Sequence, residues 1–139
     1  MRLIRVYTPA DLHAGSTVRL EGGAATHVVR VLRLRGGDPI TLFNGDGWEH
    51  PGVVSTIRGG GVDVEIAGRV AGLEESPLAL TLVQGVARGE RMDLVVQKAT
   101  ELGVARIVPV LTERCVVKLD ERQGRRKLAH WQAVTVAAC

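Results

Sequence analysis

The stretch Arg91–Leu111, RMDLVVQKATELGVARIVPVL, changes its period part-way along. Met92, Val95, Val96, Ala99 and Leu102 recur at steps of three and four, the spacing that lays apolar side chains along one stripe of an α-helix. Gly103 ends the run where a left-handed residue closes a helix. Val104 to Leu111 then reads as an apolar strand. Upstream, Leu78 to Val83 is apolar apart from Thr81, as a strand buried on both faces would be. Strand, helix and strand in this order make a βαβ unit, which needs a parallel pair of strands. A second helix is expected over Arg122 to Cys139.

Further upstream the pattern is that of β-structure. Leu3–Tyr7, Thr17–Leu20 and Pro39–Phe43 read as strands, with Gly22-Gly23 ending the second. Asn44-Gly45-Asp46-Gly47 is a hairpin signal, because Asn-Gly accepts the positive φ angles of a tight turn. The return strand, Trp48–Ile57, is expected to break at Pro51-Gly52. Gly59-Gly60-Gly61 makes the next turn. Val62, Val64 and Ile66 alternate with Asp63 and Glu65, a half-buried strand. In Ala24–Arg33 the period becomes helical, with Val28, Val31 and Leu32 on one face. Short strands at this spacing predict a small barrel. The expected division is a barrel over 1–71, a linker over 72–77 punctuated by Gly72, Ser76 and Pro77, and an α/β part over 78–139. A parallel sheet of two strands with helices on one side buries its core poorly, so further strands are expected after residue 139.

Composition narrows the function classes. Of 139 residues, 45% are hydrophobic but only 3% aromatic, so the core must be built from Val, Leu, Ile and Ala. Two cysteines, Cys115 and Cys139, have neither disulfide-framework nor metal-ligand spacing, which fits a reducing, cytoplasmic setting. His13, His27, His50 and His130 are not spaced as ligand pairs, so no metal is expected. No apolar run approaches the roughly 18 residues that suggest a membrane span. Net charge is +3, which permits an RNA partner, and the basic residues are arginines except for Lys98, Lys118 and Lys127. Arginine suits phosphate and base recognition, although a GC-rich genome also favours it.

Three groups of residues are candidates for chemistry. Arg30, Arg33 and Arg35 form the densest basic cluster of the barrel half, either an RNA-phosphate surface or a solvated turn. Arg91, Lys98 and Glu101 share the polar side of the 91–102 helix. That side is either solvated or lines a cleft at the carboxyl ends of the strands, with Arg91 and Lys98 on phosphate and Glu101 positioning a base or bracing Arg114. Arg114 itself follows the second strand, where it meets either substrate or a neighbouring carboxylate. Gly85 and Gly89, flanking Val86-Ala87-Arg88, stand where a backbone anion site would form but match no phosphate-loop motif, and they read as a flexible strand-to-helix turn rather than as such a site.

Three segments together resemble the RsmE family: His27-Val28-Val29-Arg30-Val31-Leu32-Arg33 with Gly37-Asp38, Arg91 to Val104, and Glu113-Arg114-Cys115-Val116-Val117-Lys118. The resemblance covers essentially the whole chain. It implies a PUA-like RNA-binding barrel followed by the first part of a SPOUT-class α/β methyltransferase domain, truncated before its trefoil knot. The implied reaction is S-adenosylmethionine-dependent methylation of N3 of a uridine in 16S ribosomal RNA by a homodimer. The donor site belongs to the region after residue 139, with no donor-binding residue in this chain, and the 139 residues alone are expected to be inactive. Removing the weakly acidic N3 proton calls for a base or a cation that stabilises the anion, and Arg114 is the candidate for the second role, with Lys98 and Glu101 beside it. A non-catalytic RNA-binding module is the alternative.

Overall fold

The computed structural model describes residues 4–72 and 77–139. Leu3, at the start of the first expected strand, and residues 73–76 of the expected linker lie outside the described residues. The chain forms two compact units, Met1–Glu74 and Glu75–Cys139.

In the first unit six strands make one mixed sheet. They are β1 (Arg5–Tyr7), β2 (Thr17–Leu20), β3 (Pro39–Phe43), β4 (Trp48–Arg58), β5 (Gly61–Ile66) and β6 (Val70–Ala71). Their order is β1-β3-β4-β5-β2, with β6 also paired to β4. Strand β1 runs parallel to β3 and the other pairs are antiparallel. The alternation read in β5 holds for Val62, Val64 and Ile66, which join Leu20, Leu42, Val54 and Val28 in the core. Asp63 departs from it. Expected to face water, it is buried, because the Arg19 guanidinium covers it at 2.9 Å and Arg58 approaches at 3.5 Å. A charged pair of this kind lets a polar side chain sit under cover.

Strand β4 is not broken at Pro51-Gly52 as expected. Pro51 pairs with Thr41, and its carbonyl accepts from the Ala67 N–H at 2.8 Å. At Gly52 the neighbouring strand comes so close that a Cβ would stand 2.5 Å from the Glu65 carbonyl oxygen. The residue that reads as a breaker is there for close approach.

Gly22-Gly23 opens a helix, where the sequence suggested the end of a strand. Helix α1 (Gly22–Thr26) runs into a π turn over His27–Val31, closed by the Leu32 N–H to the His27 carbonyl at 2.9 Å. The wider turn changes which side chains point inward. Val28 is fully buried and Leu32 partly so, but Val31, expected on the same face, is turned out to solvent.

The second unit holds β7 (Thr81–Gly85) and β8 (Arg106–Val110), paired in parallel, with α2 (Glu90–Glu101) between them and α3 (Glu121–Ala138) after. Val86, Met92, Val96 and Trp131 form its core, with Ile107, Val117 and Leu119 at the margin. The expected βαβ unit is present, but its strands are not buried on both faces. Leu78, Leu80 and Leu111 lie outside the strands and are exposed, as is Val83 within β7. In a two-stranded sheet alternate side chains find cover only where a helix lies, and Leu82 is half-buried while Val83 is not. Leu102, expected on the buried stripe of α2, is 80% exposed. It is the C-cap residue, beyond the last regular turn, and the helix closes there through Gly103.

Candidate nucleic-acid interface

The geometry of the first unit places Arg30, Arg33 and Arg35 on the π turn and the loop that follows. All three are exposed, and none is in an ion pair among the described residues. The loop is held in shape. The Leu34 N–H reaches the Val28 carbonyl at 3.1 Å, the Arg35 N–H reaches Asp38 Oδ2 at 2.7 Å, and Arg33 takes a left-handed φ of 56°. Positive φ at a non-glycine residue is uncommon, and here it lies within the basic cluster.

In the second unit, Arg91 sits exposed in the first turn of α2. Lys98 and Glu101 are brought together one turn apart. Lys98 Nζ lies 2.6 Å from Glu101 Oε2, and Gln97 Nε2 donates to Oε1 at 2.9 Å. The Lys98 hydrogen bond lowers the carboxyl pKa of Glu101, desolvation opposes this, and the Gln97 hydrogen bond and the charge of Lys98 add to it. Both carboxylate oxygens are thus engaged on the helix itself. Arg114, in the turn after β8, is exposed and makes no ion pair among the described residues, so Glu101 does not brace it. Cys115 Sγ donates to the Val86 carbonyl at 3.2 Å, tying the two strand ends together.

Sequence reasoning missed two features. Asp93 Oδ2 lies 2.8 Å from His130 Nε2, and Asp93 Oδ1 accepts from Trp131 Nε1 at 3.1 Å, which joins α2 to α3. Beside this joint opens a cleft of about 480 Å³, walled by 86–89 after β7, by 116–119, and by Lys127 and Trp131 of α3. Arg88, Lys118 and Lys127 are scattered along the chain, so no linear spacing announces that one cleft gathers them. Among the described residues no group of three or more His, Cys, Asp or Glu could hold a metal, and no helix is long and apolar enough to cross a membrane.

Residues 74–139 match the family model of an RNA methyltransferase domain, and residues 20–67 that of an RNA methyltransferase PUA domain. The chain is 26% identical to ribosomal RNA small subunit methyltransferase E of Bacillus subtilis (strain 168), over 94% of this chain and 51% of that protein. Two solved structures are similar over nearly all of it. One is a ribosomal RNA small subunit methyltransferase E from Neisseria gonorrhoeae bound to S-adenosyl methionine, with 39% identity and a TM-score of 0.92, covering 99% of this chain and 57% of that one. The other is a Legionella pneumophila methyltransferase in complex with S-adenosylmethionine, with 40% identity and a TM-score of 0.95, covering 100% and 57%. The chain belongs to the RsmE family. It spans about half the length of the curated RsmE relatives it matches. Its first unit is the PUA-like domain of such proteins and its second is the start of their methyltransferase domain.

The donor bound in those two relatives carries a sulfonium cation. The cleft of this chain presents Arg88, Lys118 and Lys127 and no carboxylate. Cations suit the donor's carboxylate, but the lining offers no carboxylate to its sulfonium and ammonium groups, so the partners that the whole donor calls for are not in this cleft.

Proposed function

We propose that this chain supplies the RNA-facing part of an S-adenosylmethionine-dependent enzyme that methylates N3 of a uridine in 16S ribosomal RNA. The observation that carries the proposal is the match over the whole chain to methyltransferases solved with that donor. Arg30, Arg33 and Arg35 bind RNA phosphates through unpaired guanidinium groups, which fix position without reading sequence. Arg91 adds a contact from the second unit. Arg114 stabilises the uridine anion left when the N3 proton departs, a role open to an exposed cation with no carboxylate partner. Lys98 and Glu101 act as a pair, Lys98 holding the carboxylate that positions the base. The division into a barrel over 1–71, a linker over 72–77 and a catalytic part over 78–139 belongs to the same proposal. So do the homodimer, the cytoplasmic setting and a donor site after residue 139.

A methyl group on N3 blocks Watson–Crick pairing, so reverse transcriptase should stop one nucleotide before the target. Small-subunit particles treated with the gene product that contains this chain, and with the donor, are expected to give one new stop. Substituting Arg114→Ala should reduce that stop at least tenfold, the scale of one lost electrostatic contact. If the parent protein gives no stop on particles or on free RNA, the proposal fails.

A further inference from the structure

The cleft between 86–89 and 116–119 has a use that the proposed reading does not give it. Its three cations come from three places: Arg88 before α2, Lys118 before α3, and Lys127 within α3. All three are exposed, and none is in an ion pair among the described residues. No acidic side chain lines the cavity. The adjacent N-terminus of α2 is capped by Gly89, which has no side chain to satisfy the first N–H groups of the helix. That end of a helix favours negative charge, part of which Glu90 and Asp93 of its first turn already supply. The floor is apolar, made by Val86, Val117 and the buried ring of Trp131. Trp131 is fixed by its bond to Asp93. Three cations lining one cleft with an apolar floor call for a ligand that is anionic at one end and flat or apolar at the other.

We infer that this cleft binds a phosphodiester group of the RNA, with the attached nucleoside against the apolar floor. The inference rests on the RNA methyltransferase reading above. It adds Arg88, Lys118 and Lys127, and it places a contact in the second unit independent of the Arg30–Arg35 cluster. The cavity suits one nucleotide unit rather than a duplex, and a single strand can offer such a unit splayed out.

Trp131 provides the test. In the 139-residue chain carrying Trp48→Phe, the emission of Trp131 is followed while a uridine dinucleotide or inorganic phosphate is added at constant ionic strength. Saturable change with the dinucleotide is expected. It should be lost when Arg88, Lys118 and Lys127 are all changed to Gln, surface substitutions that leave the core intact. Substituting Arg125→Gln on the same helix, outside the cleft, should change nothing. With a labelled single-stranded RNA, the triple variant should bind about fivefold more weakly near 0.1 M salt, and its salt slope should fall by about 0.7, the counterion release of one phosphate contact on a single strand. No saturable change with the dinucleotide overturns the inference. Phosphate saturating as tightly as the dinucleotide overturns the RNA assignment and leaves a free-anion site. Failure of the RNA-binding reading itself registers separately, as parent chain that ignores RNA and is unaltered by Arg30→Ala and Arg33→Ala.

Discussion

Asp93 stands on what the sequence presents as the solvated side of α2, yet both its oxygens are engaged by α3. The hydrogen bond from His130 is the largest cause of its lowered pKa, burial opposes it, and the charges of His130 and Lys127 and the Trp131 bond act with the first. A carboxyl whose folded pKa lies below its unfolded value stabilises the fold above the unfolded pKa, and that contribution is lost as pH falls through the folded one. Its partial exposure keeps the effect under about 1 kcal/mol. Asp93→Asn is therefore expected to lower the melting temperature by about 2–4 °C at pH 7. The gap to the parent should close below pH ~4, where the carboxyl begins to protonate. Melting curves at pH 7, 5, 3 and 2 check this, and a gap that persists unchanged to pH 2 contradicts it. At this scale the sequence was partly readable. Arg30, Arg33, Arg35, Arg91 and Arg114 stand out as candidates by type and neighbourhood, and helical spacing sets Gln97 one turn from Glu101, a pair the structure forms, while the Lys98–Glu101 contact goes unread. Asp93 with His130, and the Arg88–Lys118–Lys127 group, join residues far apart in the chain, and no period marks such contacts.

Elements were legible where one period ran unopposed. The α2 stripe of Met92, Val96 and Ala99 is buried as read, and Gly103 ends the helix as read. Its N–H bonds to the Thr100 carbonyl at 2.9 Å and that of Val104 to the Ala99 carbonyl at 3.0 Å, the paired bonds of a Schellman closure. Gly103 sits at φ 77°, a region costly for a side chain with a Cβ. Gly103→Ala should cost about 1–2 kcal/mol in urea unfolding, and Gly103→Asn distinctly less, because Asn tolerates that region. Equal losses for the two would count against the closure as the cause. Two patterns were misleading for physical reasons. Val31 obeyed a 3.6-residue period that a π turn does not keep. Leu78 to Val83 looked buried on both faces, but apolar character says nothing about how many layers surround a strand.

At the scale of the whole molecule, the two-part organisation is visible as a change from short alternating strands to a continuous apolar strand followed by a helix, across the stretch punctuated by Gly72, Ser76 and Pro77. The assignment to a family came from the long motif at Arg91–Val104 rather than from periodicity, which establishes only a helix between parallel strands. The structure adds a charge argument about the methyl donor. A cleft lined by three cations and no carboxylate can meet the donor's carboxylate but leaves its sulfonium and ammonium without anionic partners. Titration calorimetry of S-adenosylmethionine into the 139-residue chain is accordingly expected to show no binding tighter than about 1 mM, a free energy of about −4 kcal/mol. Micromolar binding would mean that a donor site exists within these residues.

The strand order of the first unit has a consequence for synthesis. Strands β1 and β2 are made first but lie at the two ends of the sheet path, on β3 and β5 respectively. Strand β2 has no partner until β5, about 45 residues later, has left the ribosome. At roughly 5–20 residues per second that wait is about 2–9 s. The β4–β5 hairpin, closed by a short glycine turn, can form at once. The nascent chain therefore carries an orphan apolar strand for seconds. The polar alternation of β2, where Thr17 and Arg19 separate Val18 and Leu20, keeps that strand from being a continuous sticky edge.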